Sequence, residues 1–392
     1  MSNPTGTRLG SPVRILHFLP WLHSGGVERR RLELARGLDK RRYLQRVVCL
    51  HGLDHLIADF VGAGVEVTPL GGNLLSRRNV LAAVRAAFEW RPDIIHGAVF
   101  EGVILAALAG LANPRSKIIL EEIDFPLHRS PRARLLFRAL ALRSDRCVAV
   151  SPAVLEFLKT EGIPDRKRRL IMNAAPRPRL PPESEWGSLR AHLGIPSNAF
   201  VVGTVGRLND RHKRVSDLIQ ALSILRPSNP DLHLLIVGDG PDRVVLERLV
   251  QELDLCGAVS FAGYQSDTGP MYAVMDLFAL ASERESFGLV LVEAMFAGLA
   301  VVGTRTSGVA NVVEDGNTGV LVSVGAPSEF ARAVADLKSD AGRRRAMGEA
   351  GRARAERLFS SARYVADVAR LYEEVLGERD ATRDDPPTST RG

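Results

Sequence analysis

Lysine is scarce in this 392-residue chain: it stands at six positions (Lys40, Lys117, Lys159, Lys167, Lys213, Lys338), and arginine supplies the rest of the 52 basic residues. Any chemistry that depends on a lysine has few candidates. The three cysteines (Cys49, Cys147, Cys256) are far apart and form no CxxC, which excludes a disulfide framework and a cysteine zinc site and suits a reducing compartment. No apolar run approaches the roughly 20 residues that a spanning helix needs. The best candidate, residues 102–112, is rich in Ala and Gly and reads as a buried helix. The start, MSNPTGTRLGSPVRILHFLPW, lacks a secretory pattern, because its apolar stretch stops at Pro20. A cytoplasmic protein is expected, touching the inner face of the membrane at most peripherally. Asp-x-Asp is missing from the strand ends. Basic clusters at residues 29–31, 40–42, 166–169 and 343–345 are scattered and lack interleaved aromatics, which argues against nucleic acid as a partner.

What is present is the composition of a soluble globular protein, 45% hydrophobic and 25% charged, with a formal net charge of +7. The length exceeds one ordinary core and predicts two domains. Residues 1–12 should be unstructured. A first domain should run over 13–176, where short β-branched runs (13–19, 46–50, 65–69, 93–96, 117–120, 146–150) alternate with helical patterns. The Pro-rich stretch AAPRPRLPPESEWGS supplies a linker over 177–190. The βα rhythm then resumes over 191–358, with strands expected at 200–205, 233–237, 259–261, 277–279, 300–303 and 320–322. A helix over 359–377 should pack back on the first domain, and 378–392 should be a disordered tail. Near-continuous apolar strands alternating with helices describe parallel sheets covered on both faces. The fold class is therefore α/β, with two Rossmann-like doubly wound domains facing across a cleft at the carboxyl ends of their strands.

Three stretches carry candidate chemistry. The segment ERESFGLVLVEAMFAG, residues 283–298, places Glu285 on a loop after an apolar strand, Phe287, Gly288 and Leu289 at a helix start, and Glu293 eight residues on, inside an apolar helix. A helix N-terminus offers free N–H donors to a polar ligand. A carboxylate among Leu, Val and Met is costly to bury without a partner, and vicinal ribose hydroxyls are suitable donors. The segment GTVGRLNDRHKRVSDLIQAL, residues 203–222, leaves a strand at Arg207 and carries Lys213 to the next helix. These two cations could straddle a diphosphate, Arg as a fork and Lys as a point charge; a merely solvated basic loop has the same sequence. After the first strand, HSGGVERRRLELARGL puts Gly25 and Gly26 at a tight strand–helix junction, which glycines also serve for steric reasons alone.

Together, in order and spacing, these stretches resemble the retaining family-4 glycosyltransferases of the GT-B fold, over about residues 13–376. The GDGP turn at residues 238–241 and the DGNTG loop at 315–319 extend the likeness. The resemblance implies that Arg207 and Lys213 bind the donor diphosphate and stabilise it as leaving group. It implies that Glu285 holds donor-sugar hydroxyls, helped by backbone N–H groups around Phe287, Gly288 and Leu289, and that Glu293 binds the ribose. Gly25 and Gly26 would line the donor site, Gly26 through a backbone contact to phosphate. The implied reaction is hexosyl transfer from a UDP- or GDP-sugar to a glycan, lipid-linked or small-molecule acceptor with retained configuration. No metal and no cofactor beyond the nucleotide sugar are expected.

The sequence departs from the family in three places. ILEEIDFPLHRS (119–130) lacks the His near the donor sugar, carrying Glu121, Glu122 and Asp124 instead. Asn311 replaces a Glu of the GG-x-P-E segment, and Asn173-Ala174-Ala175-Pro176 replaces N-G-V-D. These changes motivate an alternative, a catalytically silent GT-B homologue that binds carbohydrate or regulates a partner. Finally, Arg134 and Arg138 with Leu135, Leu136, Ala139 and Leu142 make a basic amphipathic helix, suited to an anionic membrane surface or equally to a protein core.

Overall fold

A computed structural model describes residues 11–22, 26–72, 76–122 and 130–381. The chain divides into two compact units, one formed by Ala174–Ser360 and the other by the chain before and after it. Both are α/β, as the alternation of apolar runs requires.

The first unit holds β1 (Val13–Leu22), β2 (Tyr43–Gly52), β3 (Glu66–Pro69), β4 (Ile94–Ala98), β5 (Lys117–Glu122), β6 (Arg146–Ala149) and β7 (Arg168–Leu170). They form one sheet in the order β3-β2-β1-β4-β5-β6-β7, and the paired strands run parallel. Its central strands are buried almost throughout, so their side chains feed a core on each face: Phe18, Val103, Phe137 and Phe157 on one, Leu32, Val47 and Phe60 on the other. The helix Val99–Ala112, read as a buried Ala/Gly segment, is buried over most of its length. The edge strand β7 escaped the sequence reading because Arg-Arg-Leu carries no apolar run.

The second unit holds β8 (Phe200–Val205), β9 (Leu232–Val237), β10 (Val259–Gly263), β11 (Leu277–Leu280), β12 (Val301–Thr304) and β13 (Gly319–Val322), in the order β10-β9-β8-β11-β12-β13, again parallel. In both sheets the connection reverses direction beside the first strand, between β1 and β4 and between β8 and β11. Such a switch point leaves a crevice outside the carboxyl ends of the two strands, where open α/β sheets take ligands.

The stretch expected to be a linker is structured. It carries a 3-10 turn, Glu183–Glu185, and a helix, Trp186–His192, fixed within the second unit by Arg190, which donates to Ala199 O and Val274 O and pairs with Asp276 at 3.1 Å. Prolines here set the entry to a helix and do not mark a free tether. The helix Ala341–Leu358 was also unforeseen; its buried face is Met347 with the small residues Gly348, Gly351 and Ala355, too few large apolar side chains to give a hydrophobic period. The last helix, Ser361–Ala381, runs beyond residue 377 and belongs to the first unit. Arg363 donates to Met172 O at 2.6 Å and Glu374 pairs with Arg146 at 2.8 Å. Of the ends expected to be unstructured, 1–12 and 378–392, residues 1–10 and 382–392 lie outside the described residues, whereas 378–381 continue the last helix. Among the described residues no helix is long and apolar enough to cross a membrane.

Candidate active site

At the switch point of the second unit, β8 and β11 deliver the two loops that the sequence singled out. Gly206 closes β8 through its N–H to Val237 O at 2.9 Å, and Arg207 follows, exposed. The GDGP turn braces this loop: Leu208 N–H donates to Asp239 O (3.0 Å), and Asp242 N–H returns a bond to Leu208 O (3.1 Å). Asp210 fixes the far end. Its N–H donates to the Asp242 carboxylate at 2.7 Å, and its own carboxylate accepts from Ser216 N–H (2.9 Å) and Oγ (2.6 Å). The one-turn helix Asp210–Lys213 thus ends with Lys213 aimed at the β11 loop. The helix expected near Ser216 starts at Val215, after Arg214 in the left-handed region.

Lys213 Nζ lies 2.7 Å from Glu285 Oε2, and Ser282 Oγ donates to the same oxygen at 3.3 Å. Glu283 N–H donates to His212 O at 2.9 Å, tying the loops together by backbone as well. The pair is partly exposed, so water screens it and it adds little to stability. Its value is positional: a cation and a carboxylate side by side at a crevice can take the opposite ends of a ligand bearing phosphate and hydroxyls. Behind Glu285, helix Ser307–Val312 abuts the loop so closely that a Cβ on Gly308 would fall 2.0 Å from Glu285 O. Only glycine fits there, and sequence reading passed over it as part of an altered motif. Asn311, on the same short helix, accepts from Arg354 through its backbone carbonyl at 3.1 Å.

Phe287 is buried, edge-on to Phe359 with ring centroids 5.4 Å apart, so only its backbone can face a ligand. Gly288 caps the helix Leu289–Phe296 with φ 87°, a left-handed position that favours glycine. The first N–H groups of that helix have no acceptor one turn back. On the same helix Glu293 is 5% exposed. It accepts from Tyr272 Oη at 2.9 Å and from Thr268 Oγ1 at 3.4 Å, both on Oε2. These two partners were not foreseen, since TGPMYAVM reads only as a helix and the pairing spans more than twenty residues.

In the first unit, Gly26 opens the helix Gly26–Gly37 directly after β1, while Gly25 lies outside the described residues. After β4, Val99 takes φ 65°, a strained conformation for a β-branched residue, at the edge where such sheets bind ligands. The carboxylate that replaces the family's usual pattern, Glu121, is not open to a ligand. It is 1% exposed, paired with Arg30 and with Arg31 at 3.3 Å, and 3.4 Å from His96 Nε2. His96 Nδ1 accepts from Tyr372 Oη at 2.9 Å and faces Arg31 at 3.1 Å. Burial alone would raise the Glu121 carboxyl, but Arg30 and Arg31 outweigh it and hold it well below the ordinary range. Burial, then Arg31, push His96 down to about 4, so the ring is neutral at pH 7. This network anchors the last helix to the strand ends. Asp124 and His128 lie outside the described residues.

Comparison with known proteins agrees with this geometry. The family described as Glycosyl transferase 4-like domain matches residues 25–174, and the one described as Glycosyl transferases group 1 matches residues 187–354. The N-acetyl-alpha-D-glucosaminyl L-malate synthase of Bacillus anthracis is 30% identical over 285 residues, 72% of this chain and 74% of that protein. A lipopolysaccharide core biosynthesis glycosyltransferase of Rhizobium meliloti is 37% identical over 162 residues, 41% of this chain and 46% of the relative. The crystal structure of Anabaena HepE in complex with UDP is similar at a TM-score of 0.80 and 25% identity, covering 92% of this chain and 100% of that one. With two Rossmann-like units, a cation–carboxylate pair at the β8–β11 switch point and these relatives, the chain belongs to the family-4 glycosyltransferases of the GT-B fold.

Proposed function

We propose that this glycosyltransferase moves a hexose from a UDP- or GDP-sugar to a hydroxyl of a glycan, lipid-linked or small-molecule acceptor, with retention and without a metal. The observation that carries the reading is the Lys213–Glu285 contact beside the N-terminus of the helix Leu289–Phe296. In this reading Arg207 and Lys213 hold the diphosphate. When the bond from sugar C1 to the phosphate oxygen breaks, its electron pair stays on the diphosphate, and fixed cations there act where charge grows. Glu285 holds sugar hydroxyls. Phosphate attracts Lys213 from one side while Glu285 keeps its aim from the other.

Glu293 accepts from the ribose, with Tyr272 and Thr268 holding the carboxylate in place. The similar Anabaena HepE structure is a complex with UDP, which supports a uridine donor here. The test is a thermal-shift panel of nucleotide sugars followed by product analysis, because a ligand that binds only the folded chain must raise its melting temperature. A chain that no UDP- or GDP-sugar stabilises, and that turns none over, is not the enzyme described here. Peripheral contact with an anionic membrane is part of the same reading and rests on a separate surface.

A further inference from the structure

Arg207, Lys213, Glu285 and Glu293 all stand on the second unit, so the donor reading assigns nothing to the carboxyl edge of the first sheet. Trp21 lies at that edge, the last residue but one of β1, and is 42% exposed. The other two tryptophans are half-buried: Trp90 lies under the Arg46 guanidinium, 5.0 Å from the ring centroid, and the Trp186 indole donates to Pro181 O at 3.1 Å. An indole is among the largest apolar surfaces a side chain offers, so an exposed one calls for a reason. Its plane is also held. β1 and β2 pair with Trp21 beside His51, and the two rings stack with centroids 5.2 Å apart and planes 16° apart. His51 Nε2 donates to Gly72 O at 3.2 Å. The chain leading to that carbonyl is bound to β2, with Leu70 N–H on Cys49 O (2.8 Å) and Gly71 N–H on Leu50 O (2.7 Å). Leu53 N–H ties the loop after β2 to Leu22 O at 2.9 Å. Three neighbouring strand ends thus fix an aromatic plane at the edge where open α/β sheets take ligands.

The charge at this edge narrows what the plane can take. Residues 20–22 and 50–57 include Asp54, His51 and His55 and no Lys or Arg. A carboxylate or phosphate would find no lysine or arginine on these strand ends, and Asp54, in the first turn of the helix Asp54–Gly62, would repel it. A neutral ring suits the place better. One face of a pyranose is a set of C–H groups, slightly positive, which lies favourably on the negative face of an indole. The hydroxyls of the ring point to its rim and stay in water. Because Trp21 is already held by His51, stacking a sugar on it costs little side-chain entropy. A nucleobase would stack on an indole as well, which makes UDP a necessary control.

We propose that Trp21, backed by His51, is an acceptor subsite on which a pyranose ring of a neutral glycan lies, so that the acceptor is a carbohydrate and not a small anion. That the sugar is an acceptor rests on the transferase reading above; the platform itself is tested without a donor. Saturation-transfer NMR is run on the full chain with the methyl glycosides of glucose, galactose, mannose and N-acetylglucosamine, and with L-malate as an anionic probe. Saturation should reach the ring C–H protons of at least one glycoside and should not reach malate. Trp21→Ala should weaken that binding about tenfold and Trp21→Phe should keep most of it, since one aromatic contact is worth about that factor. Trp21 is exposed, so melting of both variants should stay near wild type. UDP measured by calorimetry should bind wild type and Trp21→Ala equally. No glycoside signal in wild type, a signal that Trp21→Ala leaves unchanged, or malate bound as well as the sugars overturns the proposal. Loss of UDP binding in Trp21→Ala also overturns it, by assigning the indole to the nucleobase. Glycoside binding by a chain that neither binds UDP or GDP nor turns over a nucleotide sugar refutes the donor reading and leaves the platform standing.

Discussion

Glu293→Gln separates binding from chemistry, because losing the charge alone weakens the ribose contact proposed for this carboxylate. It is 5% exposed and accepts from Tyr272 at 2.9 Å. A glutamine keeps the size and an acceptor oxygen for Tyr272, so the fold should hold. A hydrogen bond to a charged group contributes about 1.5–3 kcal/mol and one to a neutral group about 0.5–1.5. Losing the charge should therefore weaken nucleoside-diphosphate binding by about 1–1.5 kcal/mol, roughly 5- to 15-fold in Kd. A raised KM should dominate the kinetics. Glu285→Gln should do the opposite. Glu285 stands beside Lys213 and would touch the sugar, so its variant should bind the free nucleoside diphosphate nearly as wild type but lose kcat. Calorimetric titration of UDP and GDP into both variants is the direct measurement. If Glu293→Gln bound the nucleotide like wild type while Glu285→Gln did not, the two assignments would be reversed and the reasoning refuted.

Lys213→Ala and Arg207→Ala should each lower kcat on the order of 10²-fold, taking about 3 kcal/mol for one donor aimed at developing charge, with melting nearly unchanged; near-normal turnover in both rejects the diphosphate assignment. Chelation with EDTA should leave transfer largely intact, and a complete loss that Mg²⁺ or Mn²⁺ restores would show a metal at the leaving group. Gly308→Ala should displace the Glu285 backbone, which lies 2.0 Å from the added Cβ, and cost activity before global stability; unchanged kcat would mean that the loop has another support. The buried His96 sets an acid limit. Its folded value of about 4 lies below the ordinary 6.5, so the unfolded chain binds more protons between them and stability falls as pH drops through that window. The loss should approach about 3 kcal/mol by pH 4. Urea midpoints measured from pH 7 to 4 should fall less steeply in His96→Asn, the remaining slope belonging to His17 and His233, which burial lowers likewise, and an equal decline in both proteins would place the acid sensitivity elsewhere.

The sequence by itself determined the elements that hydrophobic period reveals. β8, β9 and the helix Leu289–Phe296 are runs of apolar residues bounded by glycine and charge, and their positions follow from local pattern. It also singled out Glu285, Glu293, Arg207 and Lys213, because a charge next to or inside an apolar run stands out in one dimension. What it could not decide depends on neighbours far along the chain. Glu121 looked like one of three loose carboxylates, and only the fold brings Arg30 and Arg31 from a helix some ninety residues earlier to neutralise it. Tyr272 and Thr268 have no local sign that they hold Glu293. Ala341–Leu358 packs mostly through small residues that carry no hydrophobic signal until their partner is in place. The leucines of Pro131–Arg143 have the same spacing whether they face a core or water. Their exposure was settled by Phe137 and Ala141 filling the inward side, since burial is a property of what packs against a residue and period alone does not choose between the two faces of a helix.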